Sequence, residues 1–243
     1  MKIQALRSVF RGDRVWIVGN GPSAENWTIE EMRDFGGHVF GVNKCWRTSP
    51  RTGACFQGTD FHTFVSGHHY DDLMNGRVQT GTAFMPSRYA PLMFKHIRLK
   101  EFQKTGPEVV EVNLSNTHWN SAADGRPWNY HFDRSRVVST FAGHLALALA
   151  AYMGFADILL VGFDARDGEG HFFDKVDGPR TSPVGFKRDQ MVAWFDAVGE
   201  WVIGSDCRIW NTNPESAIRV FPFATKKEIR DGALESHVFG VGR

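Results

Sequence analysis

Apolar and polar residues alternate in blocks along this chain, with short β-branched runs giving way to segments at helical spacing. The run Val15-Trp-Ile-Val18 breaks into Gly19-Asn-Gly-Pro-Ser23, which predicts a buried strand ending in a tight turn that opens a helix. Thr28-Ile-Glu-Glu31 is a capping-box pattern for a short helix stopped by Gly36-Gly37. His38 to Asn43 reads as a second strand, and Ala54 to Gln57 as a third that runs out at Thr59-Asp60. Between His62 and Asp133 the periodicity is poor and supports two short strands, Thr82 to Met85 and Glu108 to Leu114. Order returns with an apolar helix from Phe141 to Met153, a stop at Gly154 and a continuous apolar strand from Ala156 to Gly162. Met191, Val192, Trp194, Phe195, Val198, Trp201 and Val202 recur at helical spacing, a stripe that belongs to a core. Arg208 to Asn213 is the last strand, followed by the turn Pro214-Glu-Ser216; the tail from Lys226 reads as a short helix or a loose end.

Strand and helix in this alternation predict an α/β fold, a modified Rossmann-like, mostly parallel sheet with helices on both faces. A chain of 243 residues fits a single nucleotide-binding domain, with 62–133 as an inserted segment suited to an acceptor or a lid. At 42% apolar and 23% charged residues the composition is globular, and the net charge of +1 does not announce a nucleic-acid partner. Three cysteines without C-x-x-C spacing argue against a disulfide framework or a zinc knuckle. With neither a membrane-length apolar run nor a signal-peptide pattern, the expected location is the cytoplasm. Eight Trp and twenty Phe suit a core, an acceptor groove or a subunit interface, and a homo-oligomer stays open.

The candidate chemistry gathers at the ends of these strands. Gly19 and Gly21 permit positive φ and close approach of a ligand to the main chain, Pro22 suits the first helical position, and free N–H groups there favour a phosphate. Asn20 and Ser23 add side-chain hydrogen bonds to a phosphate, ribose or base. The same residues are equally those of an ordinary strand-to-helix turn, and neither the dinucleotide nor the P-loop pattern is completed. Asn43, Lys44 and Asp60 are read as polar groups at the carboxyl ends of the second and third strands, where an open sheet offers its crevice. Asp164 follows the central strand, and the loop after it holds Asp167, Glu169, His171, Asp174 and Asp177. His68-His69-Tyr70-Asp71-Asp72 reads as a solvated turn, since consecutive loop residues rarely converge on one ion; no metal site is assigned.

With these residues placed, the chain resembles the bacterial lipo-oligosaccharide sialyltransferases and the wider group that shares their fold. Four stations carry the likeness: Gly19-Asn-Gly-Pro-Ser23; Asn43; Ser139 to Met153 running on through Gly154-Phe to Ile158-Leu-Leu-Val-Gly162-Phe-Asp164; and Asn213-Pro-Glu-Ser216. The resemblance implies a cytidine nucleotide-sugar co-substrate bound at the glycine turn, with no tightly bound cofactor and no metal. It assigns Asn20 and Ser23 to the donor, Asn43 to its nucleotide or phosphate, Ser139, Thr140 and Gly143 to the cytidine, and Asp164 to fixing the donor pocket. The family's histidine base has no counterpart between Gly178 and Gln190, which leaves His171 as the candidate base or phosphate contact. The expected function is transfer of a sugar, most readily from a CMP-linked donor, to an unidentified hydroxyl acceptor: a glycan, a lipid-linked saccharide or a modified nucleic acid base. The same group also resembles an archaeal hydroxymethylpterin diphosphokinase. That alternative requires ATP and Mg²⁺ held by carboxylates among Asp60, Asp164, Asp167 and Asp174. A silent nucleotide-binding module is a third reading.

Overall fold

The computed structural model describes residues 1–65, 69–86, 106–112, 132, 141–166, 170–174, 188–202 and 206–236. Seven described strands form one sheet: β1 (Arg14–Val18), β2 (His38–Val42), β3 (Thr59–Thr63), β4 (Thr80–Pro86), β5 (Glu108–Val112), β6 (Asp157–Val161) and β7 (Arg208–Asn211). Every pairing is parallel, in the order β5-β4-β3-β2-β1-β6-β7. The order therefore reverses beside β1. Strands β2 to β5 lie on one side of it and β6 and β7 on the other, so the carboxyl ends of β1 and β6 flank the topological switch point, where open α/β sheets form their ligand crevice.

Apolar runs split cleanly between two cores. Val15 and Ile17 of β1 and Ile158 and Leu160 of β6 pack with α3 (Ala142–Met153) on one face. Trp16, Val18, Leu159 and Val161, from the same strands, pack with Met32 of α1 (Ile29–Asp34), Trp210 and Ile229 of α5 (Lys226–Arg230) on the other. Side chains alternate across a strand, so a continuously apolar strand requires cover on both sides. α3 ends as its sequence demands: Gly154 adopts φ 92°, the left-handed cap that glycine takes without a Cβ penalty. Thr28 and Glu31 form the expected capping box of α1, and Thr225 and Glu228 form a second one that orders the tail into α5. α4 (Arg188–Val202) buries Trp194, Phe195, Val198 and Val202 of the apolar stripe. The short helix α2 (Tyr70–Met74) precedes β4.

Two expectations change. The third strand is Thr59–Thr63, not Ala54 to Gln57. The earlier stretch is a loop in which Phe56 is buried and its neighbours half-buried: Phe56 donates its N–H to Cys45 O at 3.2 Å, and the Gln57 carboxamide donates to Arg77 O at 2.8 Å while accepting Gln79 N–H at 2.9 Å. Its apolar signal reports the burial of Phe56. The element opened by the glycine turn is a five-residue 3-10 helix, Pro22–Asn26, with Pro22 at its start. Described residues of 62–133 supply β4 and β5 to the same sheet.

Candidate functional site

Gly19 to Ser23 leaves the carboxyl end of β1 beside the turn that leaves β6. Gly19 N–H donates to Val161 O at 2.8 Å and Gly21 N–H to Gly162 O at 2.9 Å. A Cβ on Gly19 would lie 2.6 Å from Gly162 O, and one on Gly21 would collide with the Asp164 carboxylate. Neither glycine has a positive φ; Gly21 sits at φ −67°. They are needed for the close approach of the β6 turn, where Gly162 does take φ 70°. Gly143, in the first turn of α3, makes room in the same way, since a Cβ there would lie 2.6 Å from Phe163.

Asp164, 4% exposed, is the centre of this arrangement. It accepts the Ser23 N–H at 2.8 Å, the Ser23 hydroxyl, and the Asn213 amide at 2.6 Å. The Asn213 amide is itself aimed, because its Oδ1 accepts Glu215 N–H at 3.0 Å in a turn that leaves Nδ2 for Asp164. Behind the carboxylate, Ser216 donates its hydroxyl to Phe163 O at 2.7 Å and Ala217 its N–H to Asp164 O at 2.9 Å. The turn after β7 thus clamps the turn after β6, which holds the turn after β1. This corrects the expectation of free N–H groups from Asn20 to Ser23. Pro22 has none, Gly21 and Ser23 are engaged, and the Asn20 N–H alone of these has no partner among the described residues.

The other groups stand around that clamp. Asn20 O accepts Phe172 N–H at 2.9 Å, which brings His171 next to the glycine turn. Phe172 is buried, the His171 ring lies 5.0 Å from that of Phe173, and Arg47 stands over Phe173 at 4.8 Å. The His171 N–H donates to the Asp174 carboxylate at 2.8 Å. Asn43 follows β2 with φ 53°, a left-handed conformation that asparagine tolerates better than most residues. Its N–H donates to Thr63 O at 3.0 Å and its carbonyl meets His62 Nε2 at 2.9 Å. Asn20 Oδ1 and Asn43 Oδ1 are shielded from solvent and have no hydrogen-bond partner among the described residues. Half-buried Lys44 makes no ion pair there either. Two buried imidazoles flank this edge: burial pushes His62 down to about 4 and His144, in the first turn of α3, down to about 3.

Asp60 lies away from the carboxyl edge where the other candidates gather. The register shift of the third strand puts it at the amino end of β3, where it accepts Val39 N–H at 2.8 Å and lies 3.9 Å from Arg33. It therefore cannot share a metal ion with Asp164, on the opposite edge of the sheet. Ser139, Thr140, Asp167, Glu169 and Asp177 lie outside the described residues. His62 was missed because the true strand, Thr59-Asp-Phe-His-Thr63, mixes polar with aromatic residues. Its alternation of Thr59, Phe61 and Thr63 was the available signal.

No protein-family model matches the chain, and no curated protein matches it by sequence. Solved structures do match. Sialyltransferase CstII from Campylobacter jejuni, in complex with the substrate analogue CMP-3FNeuAc, superposes with a TM-score of 0.51 at 16% identity, over 88% of this chain and 87% of that one. A point variant of sialyltransferase Cst-II in complex with CMP gives a TM-score of 0.51 at 15% identity, over 88% of this chain and 87% of that one. The chain has a sialyltransferase-like fold. Its parallel sheet, covered on both faces, is the architecture that the sequence blocks predicted. Among the described residues no helix is long and apolar enough to cross a membrane.

Proposed function

We propose that the chain is a transferase that binds a CMP-linked sugar at the switch point and passes the sugar to a hydroxyl acceptor. The observation that carries this reading is the set of polar groups without a partner among the described residues once the Asp164 clamp is complete: the solvent-shielded Asn20 Oδ1 and Asn43 Oδ1, with the Asn20 N–H and the half-buried Lys44 beside them. The two shielded asparagine oxygens are unfavourable without a partner unless a ligand or water satisfies them. A cytidine nucleotide offers both hydroxyl and amino donors for the asparagine oxygens and phosphate oxygens for the Asn20 N–H and the ammonium. The fold shared with sialyltransferases in complex with CMP and CMP-3FNeuAc supports the choice of donor. Asp164 acts as a positioning residue, holding Ser23 and Asn213 and through them the turn. His171, tethered beside Asn20, is the proposed base that takes the acceptor's proton.

Hydrolysis of a CMP-sugar in the absence of metal, with CMP binding measured alongside, tests the proposal. His171→Ala should lower turnover by about 10²-fold or more while CMP binds as before. Asn43→Ala should weaken CMP binding with little loss of fold stability. Equal CMP affinity in the wild type and Asn43→Ala would remove the turn after β2 from the donor site.

A further inference from the structure

His62 is 1% exposed, the penultimate residue of a strand that is otherwise mostly buried, and both backbone groups of Asn43 are tied to this part of β3. The partner of its Nε2 is a carbonyl, so Nε2 carries the proton and Nδ1 is a bare lone pair. That lone pair has no hydrogen-bond partner among the described residues. It faces Gly41 of β2, where a Cβ would lie 2.5 Å from Nδ1 and 2.9 Å from Cys45 Sγ. The imidazole is thus seated in space that Gly41 vacates and walled by Cys45, with one nitrogen satisfied and the other not. Fold stability alone does not call for this residue, since an apolar side chain of similar size would avoid the unsatisfied nitrogen. What the imidazole supplies, and an apolar side chain cannot, is a donor to the carbonyl of a residue held in the left-handed region.

We propose that His62 is a positioning residue of the nucleotide site: its Nε2–H bond to the Asn43 carbonyl fixes the left-handed turn after β2 and so aims the Asn43 carboxamide at the donor. The inference rests on the reading of Asn43 as a donor contact. It needs a neutral ring of one tautomer, which burial maintains.

The test is calorimetric titration of CMP into the wild type, His62→Leu, His62→Gln, Asn43→Ala and the double variant His62→Leu with Asn43→Ala. His62→Leu should weaken CMP binding about tenfold, the effect of one hydrogen bond. His62→Gln keeps an amide N–H within reach of the carbonyl and should recover most of that loss. In the Asn43→Ala background His62→Leu should add less than about a twofold change, because its effect runs through a side chain already gone. Should the leucine variant not fold, Gly41→Ala, which displaces the ring without altering it, replaces it in the same comparison. A full tenfold effect of His62→Leu persisting in the Asn43→Ala background overturns the inference while leaving the donor site standing. Failure of the wild type to bind CMP overturns the donor reading itself, and the positioning role with it.

Discussion

The two edges of the same sheet treat their polar residues differently. At the amino edge the carboxylates are matched with cations: Asp157 has Arg208 at 2.7 Å and Arg14 at 3.7 Å, and Asp60 has the Val39 N–H and Arg33. At the carboxyl edge Asp164 takes three neutral donors and no cation among the described residues, while Asn20 Oδ1, Asn43 Oδ1 and the Lys44 ammonium remain unmatched. At the amino edge Arg14 Nε and Thr59 Oγ1 also lack hydrogen-bond partners among the described residues, but Asp157 and Asp60 are engaged within the fold. The carboxyl edge fixes its backbone from within and leaves polar groups over, which is the arrangement a ligand site needs.

Acid should break this contrast most strongly. His62 and His144 have folded values of about 4 and 3 against an ordinary 6.5, so between those limits the unfolded chain binds more protons than the folded one. Stability is complete above 6.5 and falls as pH drops through the window, by roughly 2–3 kcal/mol per histidine at pH 4.5. Urea denaturation at pH 7 and 4.5 checks this, and His62→Gln should remove about half of the loss. A midpoint indifferent to pH would contradict the buried, neutral state of both rings.

Asp164→Ala is next in size. It strands the half-buried Ser23 N–H, Ser23 hydroxyl and Asn213 amide, with an expected destabilisation of about 1–3 kcal/mol and loss of CMP binding. At the opposite edge Asp60→Asn preserves an acceptor for Val39 N–H and gives up only an exposed ion pair at 3.9 Å. Its expected effect is about 0.5 kcal/mol or less, with CMP affinity unchanged. Any weakening of CMP binding by Asp60→Asn would erase the distinction between the edges.

The elements that bury both faces were legible in the sequence because their apolar runs and glycine stops are local signals. β1, α3 and β6 fall where Val15 to Val18, Phe141 to Met153 and Ala156 to Gly162 indicated, within a residue or two. β3 was not legible. Phe56 and the Gln57 side chain give a loop the appearance of a strand, while the strand itself carries Asp60 and His62, whose partners Val39 and Asn43 are remote in sequence. The same displacement put Asp60 into the predicted site and kept His62 out of it. The glycine turn reads in the sequence as a phosphate turn or an ordinary strand-to-helix turn, yet what takes its Ser23 N–H is Asp164, 141 residues later. Such long-range pairing has no local trace in the sequence.

The most direct test of a cytidine-nucleotide site at the carboxyl edge is a thermal-shift titration with CMP, UMP, GMP and AMP, each with and without Mg²⁺. A ligand that binds only the folded chain raises its stability by mass action, about 2.7 kcal/mol at a hundredfold excess over Kd. Stabilisation by CMP above the other three, unaffected by Mg²⁺ and reduced in Asn43→Ala, is the expected result. Preference for AMP that depends on Mg²⁺, or no response to any of the four, would contradict it.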